Sequence, residues 1–216
     1  MTICAYDEAY LESAQRTLGE AVDFAVLTLG LEPDTFAAAF CVSAYSKRFG
    51  QGEPALIVGM TGCELARRIL DSVRMAYPNG PDTLYQDKSP EYWAGWALAF
   101  AQWQTAESFS AILQALPLSK IIEMYPTFHE MDVLHFSDFV SKELARVHPH
   151  TRLREKRENC GLSQAGLAAA SGVSLRQIQL FEQRQRDINK TSAATLLRLS
   201  KVLSCRMEDL LEWSSL

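Results

Sequence analysis

The sequence predicts an all-α protein. Apolar residues recur at three- and four-residue steps along most of the chain, as on one face of a helix, and residues 7–29 show this spacing clearly. Helix-start signals recur too. The clearest is Ser89-Pro90-Glu91, which places a capping hydroxyl, a first-turn proline and an acid at one helix start. The only strand candidate, residues 55–58, is too short to support a sheet.

Turn residues divide this helical pattern into separate helices. Gly30 ends the first helix, and Pro33 opens a second one that we expect to run to about Phe49. Thr61 and the glutamate three residues later form a capping box for a third helix. Residues 78–89 are rich in turn formers and are expected to form the longest loop. Further helices are predicted from Ser89 onward and near 107–116, 118–124 and 127–146.

The composition is typical of a globular protein. Apolar residues make up 48% of the chain, which is enough for a substantial core. The longest nearly apolar run, residues 93–103, is far shorter than the roughly 20 residues of a membrane span. Asp7, Glu8 and Glu12 precede the first basic residue, Arg16, so we expect no signal peptide. The cysteines are widely spaced: Cys4, Cys41, Cys63, Cys160 and Cys205. Such a set suggests free thiols in a soluble, cytoplasmic protein.

Charge is divided unevenly along the chain. The whole sequence carries 21 basic and 26 acidic side chains, and this net charge of −5 argues against nucleic-acid binding if it is spread evenly. Residues 1–150 hold 10 basic and 19 acidic side chains, net −9, whereas residues 151–216 hold 11 and 7, net +4. We therefore predict a helical N-terminal domain over 1–146, a linker over 147–151 and a C-terminal domain over 152–216.

The string from Leu162 to Gln183 predicts two capped helices joined by a tight turn. Ser163 is the expected N-cap of the first helix, and Gly172 permits a left-handed turn after it. Ser174 and Gln177 form a capping box for the second helix. Two such helices constitute a helix-turn-helix unit. The positions that fit this unit together are Gln164, Ala168, Gly172, Ile178 and Phe181.

A wider pattern over the C-terminal third extends this match. It comprises Leu153, Arg154, Leu162, Ser163, Gln164, Leu167, Ala168, Ser171, Gly172, Val173, Ser174, Ile178, Phe181, Glu182, Leu196, Leu199, Ser200, Met207, Leu210 and Leu211. Through these residues, the segment 152–213 resembles the Cro/phage-repressor (XRE) family of helix-turn-helix domains. The resemblance implies a lambda-repressor-like fold of five helices that binds operator DNA as a dimer. One departure is the connection from Gln183 to Lys190, which is longer and more basic than the short glycine-containing turn often found there.

The second helix of the unit carries the side chains expected to read DNA. With Ile178 and Phe181 turned inward, a step of about 100° per residue defines an opposite face. That face comprises Arg176, Gln179, Leu180 and Gln183. Arg176 can bond both major-groove acceptors of a guanine, and Gln179 can do the same to an adenine. Leu180 can meet a thymine methyl group or serve protein packing.

Further DNA contacts are expected at the helix starts and in the basic connection. The resemblance places the N-terminal ends of both motif helices near phosphates and the groove edge; the residues there are Ser163, Gln164, Ser174 and Gln177. Arg184, Arg186 and Lys190 form a basic loop expected to hold phosphates without reading sequence. The alternative for these three is a merely solvated run of charge.

The N-terminal domain shows no catalytic motif. His129 and His135 lack a helical ligand spacing, and no H-E-x-x-H, P-loop or G-x-S-x-G string occurs in the sequence. We therefore expect no enzyme activity, no metal and no cofactor. The densest feature is an aromatic stripe on one predicted helix: Tyr92, Trp93, Trp96, Phe100 and Trp103. It is interpreted either as the core of the domain or as a pocket or groove for a ligand or partner.

Two functional hypotheses follow. The layout resembles a group of bacterial proteins in which a helical domain of unassigned function precedes such a helix-turn-helix. The first hypothesis is a non-enzymatic transcriptional regulator, a repressor that binds DNA as a homodimer through a recognition helix at about 174–183. Its N-terminal domain would dimerise, sense a small-molecule effector or hold a protein partner. The alternative is an antitoxin whose N-terminal domain neutralises a protein toxin while the C-terminal domain represses its own operon.

Overall fold

The computed structural model describes residues 4–82, 88–147, 150–183 and 185–212. All regular secondary structure within these ranges is helical, which confirms the all-α prediction. No helix in the described part of the chain is long and apolar enough to cross a bilayer. The chain divides into two compact units between Leu144 and Ala145.

The first unit contains helices of very different lengths. They are α1 (Leu11–Asp23), α2 (Pro33–Val42), α3 (Ala44–Gly50), α4 (Pro54–Ile57), α5 (Gly62–Ser72), α6 (Pro90–Thr105), α7 (Phe109–Ala115), α8 (Leu118–Glu123), α9 (Tyr125–Phe128) and α10 (Val133–Val147). A 3-10 turn, Glu8–Tyr10, precedes α1, and a π-helical segment, Phe24–Thr28, continues it. The unit division falls within the last turn of α10.

Two predicted helix starts of this unit, at Ser89 and at Thr61, are confirmed. The hydroxyl of Ser89 accepts a hydrogen bond of 2.9 Å from the amide of Tyr92, with Pro90 at the first helical position. Thr61 caps α5 in the same way, accepting from the amide of Glu64 at 3.2 Å. These caps satisfy backbone donors that would otherwise lack an intrahelical partner.

Helices α1 and α6 pack at the centre of the unit through two glycines. A Cβ atom on Gly95 would lie 2.5 Å from the carbonyl oxygen of Leu18 in α1, and one on Gly19 would lie 2.9 Å from the ring of Tyr92. The two backbones therefore approach more closely than side chains would permit. Leu18 and Leu98 are buried in the resulting core.

The predicted second helix was too long. Ser43 interrupts it between α2 and α3, because its backbone is extended, with ψ at 153°. The Ser43 hydroxyl donates a 2.7 Å hydrogen bond to the carbonyl of Phe40, so it competes with the helical pattern at this point.

Two other predictions for this unit were wrong. The strand candidate at residues 55–58 lies largely in helix α4, which begins at Pro54, since proline is well suited to a first helical turn. The helix predicted over 127–146 is two helices, because the chain turns between Phe128 and Val133. Asp132, in that turn, accepts a 2.9 Å hydrogen bond from the amide of Leu134.

The second unit is the smaller one. Its helices are α11 (Arg152–Asn159), α12 (Gln164–Ser171), α13 (Leu175–Glu182) and α14 (Ala193–Val202), with 3-10 turns at Ile188–Lys190 and Met207–Leu210. The last turn takes the place of the fifth helix that the resemblance implies. The buried core comprises Leu153, Leu167, Val173, Ile178, Phe181, Ile188, Leu199, Leu203 and Leu210.

Hydrogen bonds of Glu212 join the start of α11 to the C-terminal end of this unit. Its carboxylate accepts a 2.6 Å hydrogen bond from the backbone amide of Arg152, at the start of α11. Its backbone amide and carbonyl both bond the side chain of Asn189, at 2.8 and 2.7 Å. The first and last described turns of the unit are therefore joined through one residue.

Candidate nucleic-acid interface

Local chemistry explains how α12 and α13 are joined. The hydroxyl of Ser163 caps α12, accepting from the amide of Gly166 at 3.0 Å. Gly172 ends α12 with φ at 67°, a conformation that other residues rarely adopt. Ser174 then caps α13, accepting from the amide of Gln177 at 3.3 Å. The predicted helix–turn–helix is thus present, with both caps and the left-handed turn.

Helix α13 has one buried face and one exposed face. Ile178 and Phe181 are buried in the core of the unit. Of the side chains predicted to contact DNA, Arg176 and Gln183 are exposed, and Gln177, Gln179 and Leu180 are half-buried. The helix therefore presents a polar surface on the side away from the core.

Leu175 is an exposed apolar residue that the sequence-based interpretation did not include. It is the first residue of α13 and is 39% exposed. The angular spacing places it on the flank of the helix, between the buried and exposed faces. Together with Leu180 it adds apolar surface beside Arg176.

A buried ion pair holds the last turn of α13 against α11. Arg157 donates to both carboxylate oxygens of Glu182, at 2.6 and 2.9 Å, and to the carbonyl of Leu162 at 2.7 Å. The Arg157 and Glu182 side chains are 9% and 3% exposed. Hydrogen bonding to Glu182 raises the pKa of the Arg157 guanidinium, so the guanidinium stays charged.

Gln164 belongs to the same network. Its amide nitrogen donates a 2.8 Å hydrogen bond to Glu182, which places it beside the ion pair at the start of α12. Sequence reasoning found Gln164 but missed Arg157. Arg157 lies in a helix whose other positions are mostly polar, so the sequence gives no reason to expect it to be buried. No residue near it in the sequence indicates that it pairs with Glu182.

The connection after α13 folds back on the helix. The backbone amides of Gln185 and Arg186 both donate to the carbonyl of Leu180, at 2.9 and 3.1 Å. Ile188 is buried in the core and anchors the segment. Arg186 and Lys190 are exposed, and the Lys190 ammonium lies 3.6 Å from the carboxylate of Asp187. Arg184 lies outside the described residues.

Comparison with protein families identifies this unit. Residues 153–210 match the family model described as Helix-turn-helix. This segment is a helix-turn-helix domain of the XRE type. The match covers less than half of the chain, and it supports DNA binding by this segment. Comparison with curated proteins and with solved structures gave no match.

The aromatic stripe of the first unit lies outside this helix-turn-helix domain. Phe100 and Trp103 are buried, and the indole N–H of Trp103 donates to the carbonyl of Tyr6 at 2.8 Å. The rings of Trp93 and Phe136 pack edge to face, with centroids 5.4 Å apart. The remaining members of the stripe, Tyr92 and Trp96, are half-buried like Trp93. Within the described ranges no group of three histidine, cysteine or acidic side chains could hold a metal ion.

Proposed function

We propose that the protein is a transcriptional repressor that binds operator DNA as a homodimer, with α13 as its recognition helix. The observation that carries this proposal is the orientation of α13. Its buried face packs in the core and the Arg157–Glu182 pair fixes its last turn, so its opposite face is held rigidly outward. A helix held in this way can enter the major groove with little conformational adjustment.

The exposed side of α13 has the chemistry to read base edges. Arg176 carries the planar donor pair that matches the N7 and O6 acceptors of guanine. Gln179 can donate to and accept from adenine, and Leu180 can contact the methyl group of thymine. Gln183, one turn beyond Gln179, extends this face.

Residues around the helix would hold the sugar–phosphate backbone. Ser163, Gln164, Ser174 and Gln177 lie at the N-terminal ends of α12 and α13, where backbone donors favour anions. One N–H of Gln164 is already bonded to Glu182, so its second N–H would reach a phosphate. The cationic contacts are assigned to Arg184, Arg186 and Lys190, which would add affinity without base selectivity.

The small size of the proposed recognition surface supports dimerisation. Helix α13 has only eight residues, so one copy can contact few base pairs. A two-fold dimer doubles these contacts across two half-sites about one helical turn apart.

The acidic N-terminal region supports a separate role for the first unit. Residues 1–150 carry a net charge of −9, so DNA would repel this part of the chain. We assign it to dimerisation or to a partner or effector. The same charge favours an antitoxin as the second candidate, in which this region would neutralise a basic protein toxin.

Random-site selection with the full-length protein tests the proposal. We expect enrichment of a two-fold symmetric sequence, bound by a protein dimer in a sizing experiment with light scattering. Failure to enrich any sequence would contradict the proposal. A tagged copy expressed with its neighbouring genes distinguishes the two candidates, because only an antitoxin should co-purify in stoichiometric amounts with a protein whose toxicity it suppresses.

A further inference from the structure

Helices α11 and α14 of the helix-turn-helix domain end in similar turns, each with a cysteine. Cys160 follows the last residue of α11, and Gly161 then takes a left-handed conformation with φ at 66°. After α14, Ser204 takes the same conformation with φ at 51°, and Cys205 follows it. The amide of Cys205 bonds the carbonyl of Ser200 at 3.1 Å, which fixes this second turn.

The two turns lie against each other. The Sγ atom of Cys160 is 3.6 Å from the carbonyl oxygen of Leu203, two residues before Cys205. Cys160 is exposed, whereas Cys205 is half-buried against the domain core. Burial raises the pKa of Cys205, the Lys156 ammonium lowers it, and negative charge on Asp209 and on Cys160 raises it again. The effect of Cys160 on the pKa of Cys205 agrees with the contact between the two turns.

We propose that Cys160 and Cys205 form a dithiol site that a peroxide oxidises to an intramolecular disulfide between the ends of α11 and α14. The exposed Cys160 reacts first, because a small oxidant can reach its sulfur directly. Its thiolate attacks one peroxide oxygen, the O–O bond breaks, and the departing hydroxide takes a proton to form water. Cys160 is then a sulfenic acid.

The second step forms the bridge. The Cys205 thiolate attacks the sulfur of this sulfenic acid, the S–O bond breaks, and the leaving hydroxide takes a proton to form the second water. In total two thiols and one hydrogen peroxide give one disulfide and two water molecules. Burial raises the pKa of the Cys205 thiol overall, and the Lys156 ammonium offsets part of that rise.

Cys63 provides an internal contrast. It is buried in the first unit, and burial raises its pKa to about 11. At neutral pH it is therefore almost entirely a thiol, which does not attack peroxide. The proposed selectivity rests on the exposure of Cys160 and on the presence of a second sulfur beside it.

Peptide mapping of the full-length protein tests this proposal and needs no DNA. Reduced protein is treated with hydrogen peroxide, free thiols are blocked, and the protein is digested with trypsin without reductant. We expect a reducible species that joins the fragments 158–176 and 202–206, from a protein that remains a single chain on a non-reducing gel. Oxidation of Cys160 to a sulfinic acid without a bridge, or disulfide-linked dimers, would overturn the proposal.

Three variants sharpen the test. Cys160→Ser and Cys205→Ser should each abolish the bridged species, whereas Cys41→Ser, in the first unit, should leave it unchanged. Oxidation should also raise the temperature at which the helix-turn-helix domain unfolds in the full-length wild-type protein, and should not raise it in full-length Cys160→Ser, because a cross-link between distant residues restricts the unfolded chain.

Discussion

Arg157 and Glu182 are joined by two hydrogen bonds, of 2.6 and 2.9 Å, although they lie 25 residues apart in the sequence. Arg157 belongs to α11, the first helix of the helix-turn-helix domain, and Glu182 is the last residue of α13, the proposed recognition helix. The pair therefore couples the fold of the domain to the surface that we assign to DNA.

Removal of one partner of this pair should be costly. Glu182→Ala leaves a buried guanidinium without its carboxylate, and we expect a loss of about 3–5 kcal/mol in the free energy of unfolding. Urea denaturation monitored by circular dichroism measures this loss in the free energy of unfolding. The control is Glu155→Ala, an exposed glutamate of α11, which should change stability by less than about 0.5 kcal/mol. Equal losses in both variants would show that the buried pair contributes nothing.

Arg176 should determine sequence discrimination. We expect Arg176→Ala to weaken binding to the selected operator by about 1–3 kcal/mol, while binding to scrambled DNA changes much less. Fluorescence anisotropy with both duplexes measures the difference. Arg198→Ala removes the same charge from an exposed position on α14 and should preserve the discrimination. An Arg176→Ala protein that discriminates as well as wild type would refute the assignment.

Arg186 should contribute affinity without discrimination. Arg186→Ala should weaken binding to operator and scrambled DNA by similar factors, because a phosphate contact does not depend on sequence. It should also reduce the slope of log K against log salt concentration by about 1, the effect of one lost cationic contact. A titration from low to moderate salt gives both slopes. An unchanged slope would mean that this arginine is only solvated charge.

Gly95 should be intolerant of any side chain. In Gly95→Ala the new Cβ would meet the carbonyl oxygen of Leu18 at 2.5 Å, so α1 and α6 must move apart. Overpacking of this kind costs about 1–3 kcal/mol, and thermal denaturation should detect it. Gln104→Ala, at a half-buried position of the same helix, is the matched control and should have a smaller effect. A fully stable Gly95→Ala protein would disprove the close helix contact.

Asp23 should make stability depend on pH. Burial raises its pKa more than the hydrogen bond from Ser89 lowers it, so the folded state favours the protonated carboxyl. Its contribution to stability is therefore full below the pKa of the unfolded chain and is lost as pH rises through the folded pKa. Asp23→Asn should remove this loss, making the variant relatively more stable at pH 7 than at pH 4 when each is compared with wild type. Parallel stability curves for the two proteins would contradict the expectation.

The features that were predictable from the sequence are those set by neighbouring residues. The caps at Ser89, Ser163 and Ser174 and the turn at Gly172 each depend on a few adjacent residues, and all are present. The burial of Ile178 and Phe181 follows from helical spacing alone, so it could be predicted as well.

The features that were missed depend on tertiary contacts or on competing local bonds. Arg157 looks like an ordinary surface residue until its distant partner Glu182 is known. The break at Ser43 reflects a side-chain hydrogen bond that replaces helical continuation, and propensity alone does not reveal it. The role of Gly95 is likewise invisible in the sequence, because it depends on what α1 places opposite it.

The bonds between Glu212 and the start of α11 have an evolutionary consequence. Since Glu212 bonds Arg152 and Asn189, the chain enters and leaves the helix-turn-helix domain at nearly the same place. A segment with adjacent ends can be inserted into a surface loop of another protein without stretching its host. Recombination can therefore transfer the helix-turn-helix domain to another protein, and join it to an unrelated acidic domain, without a change in the fold of either.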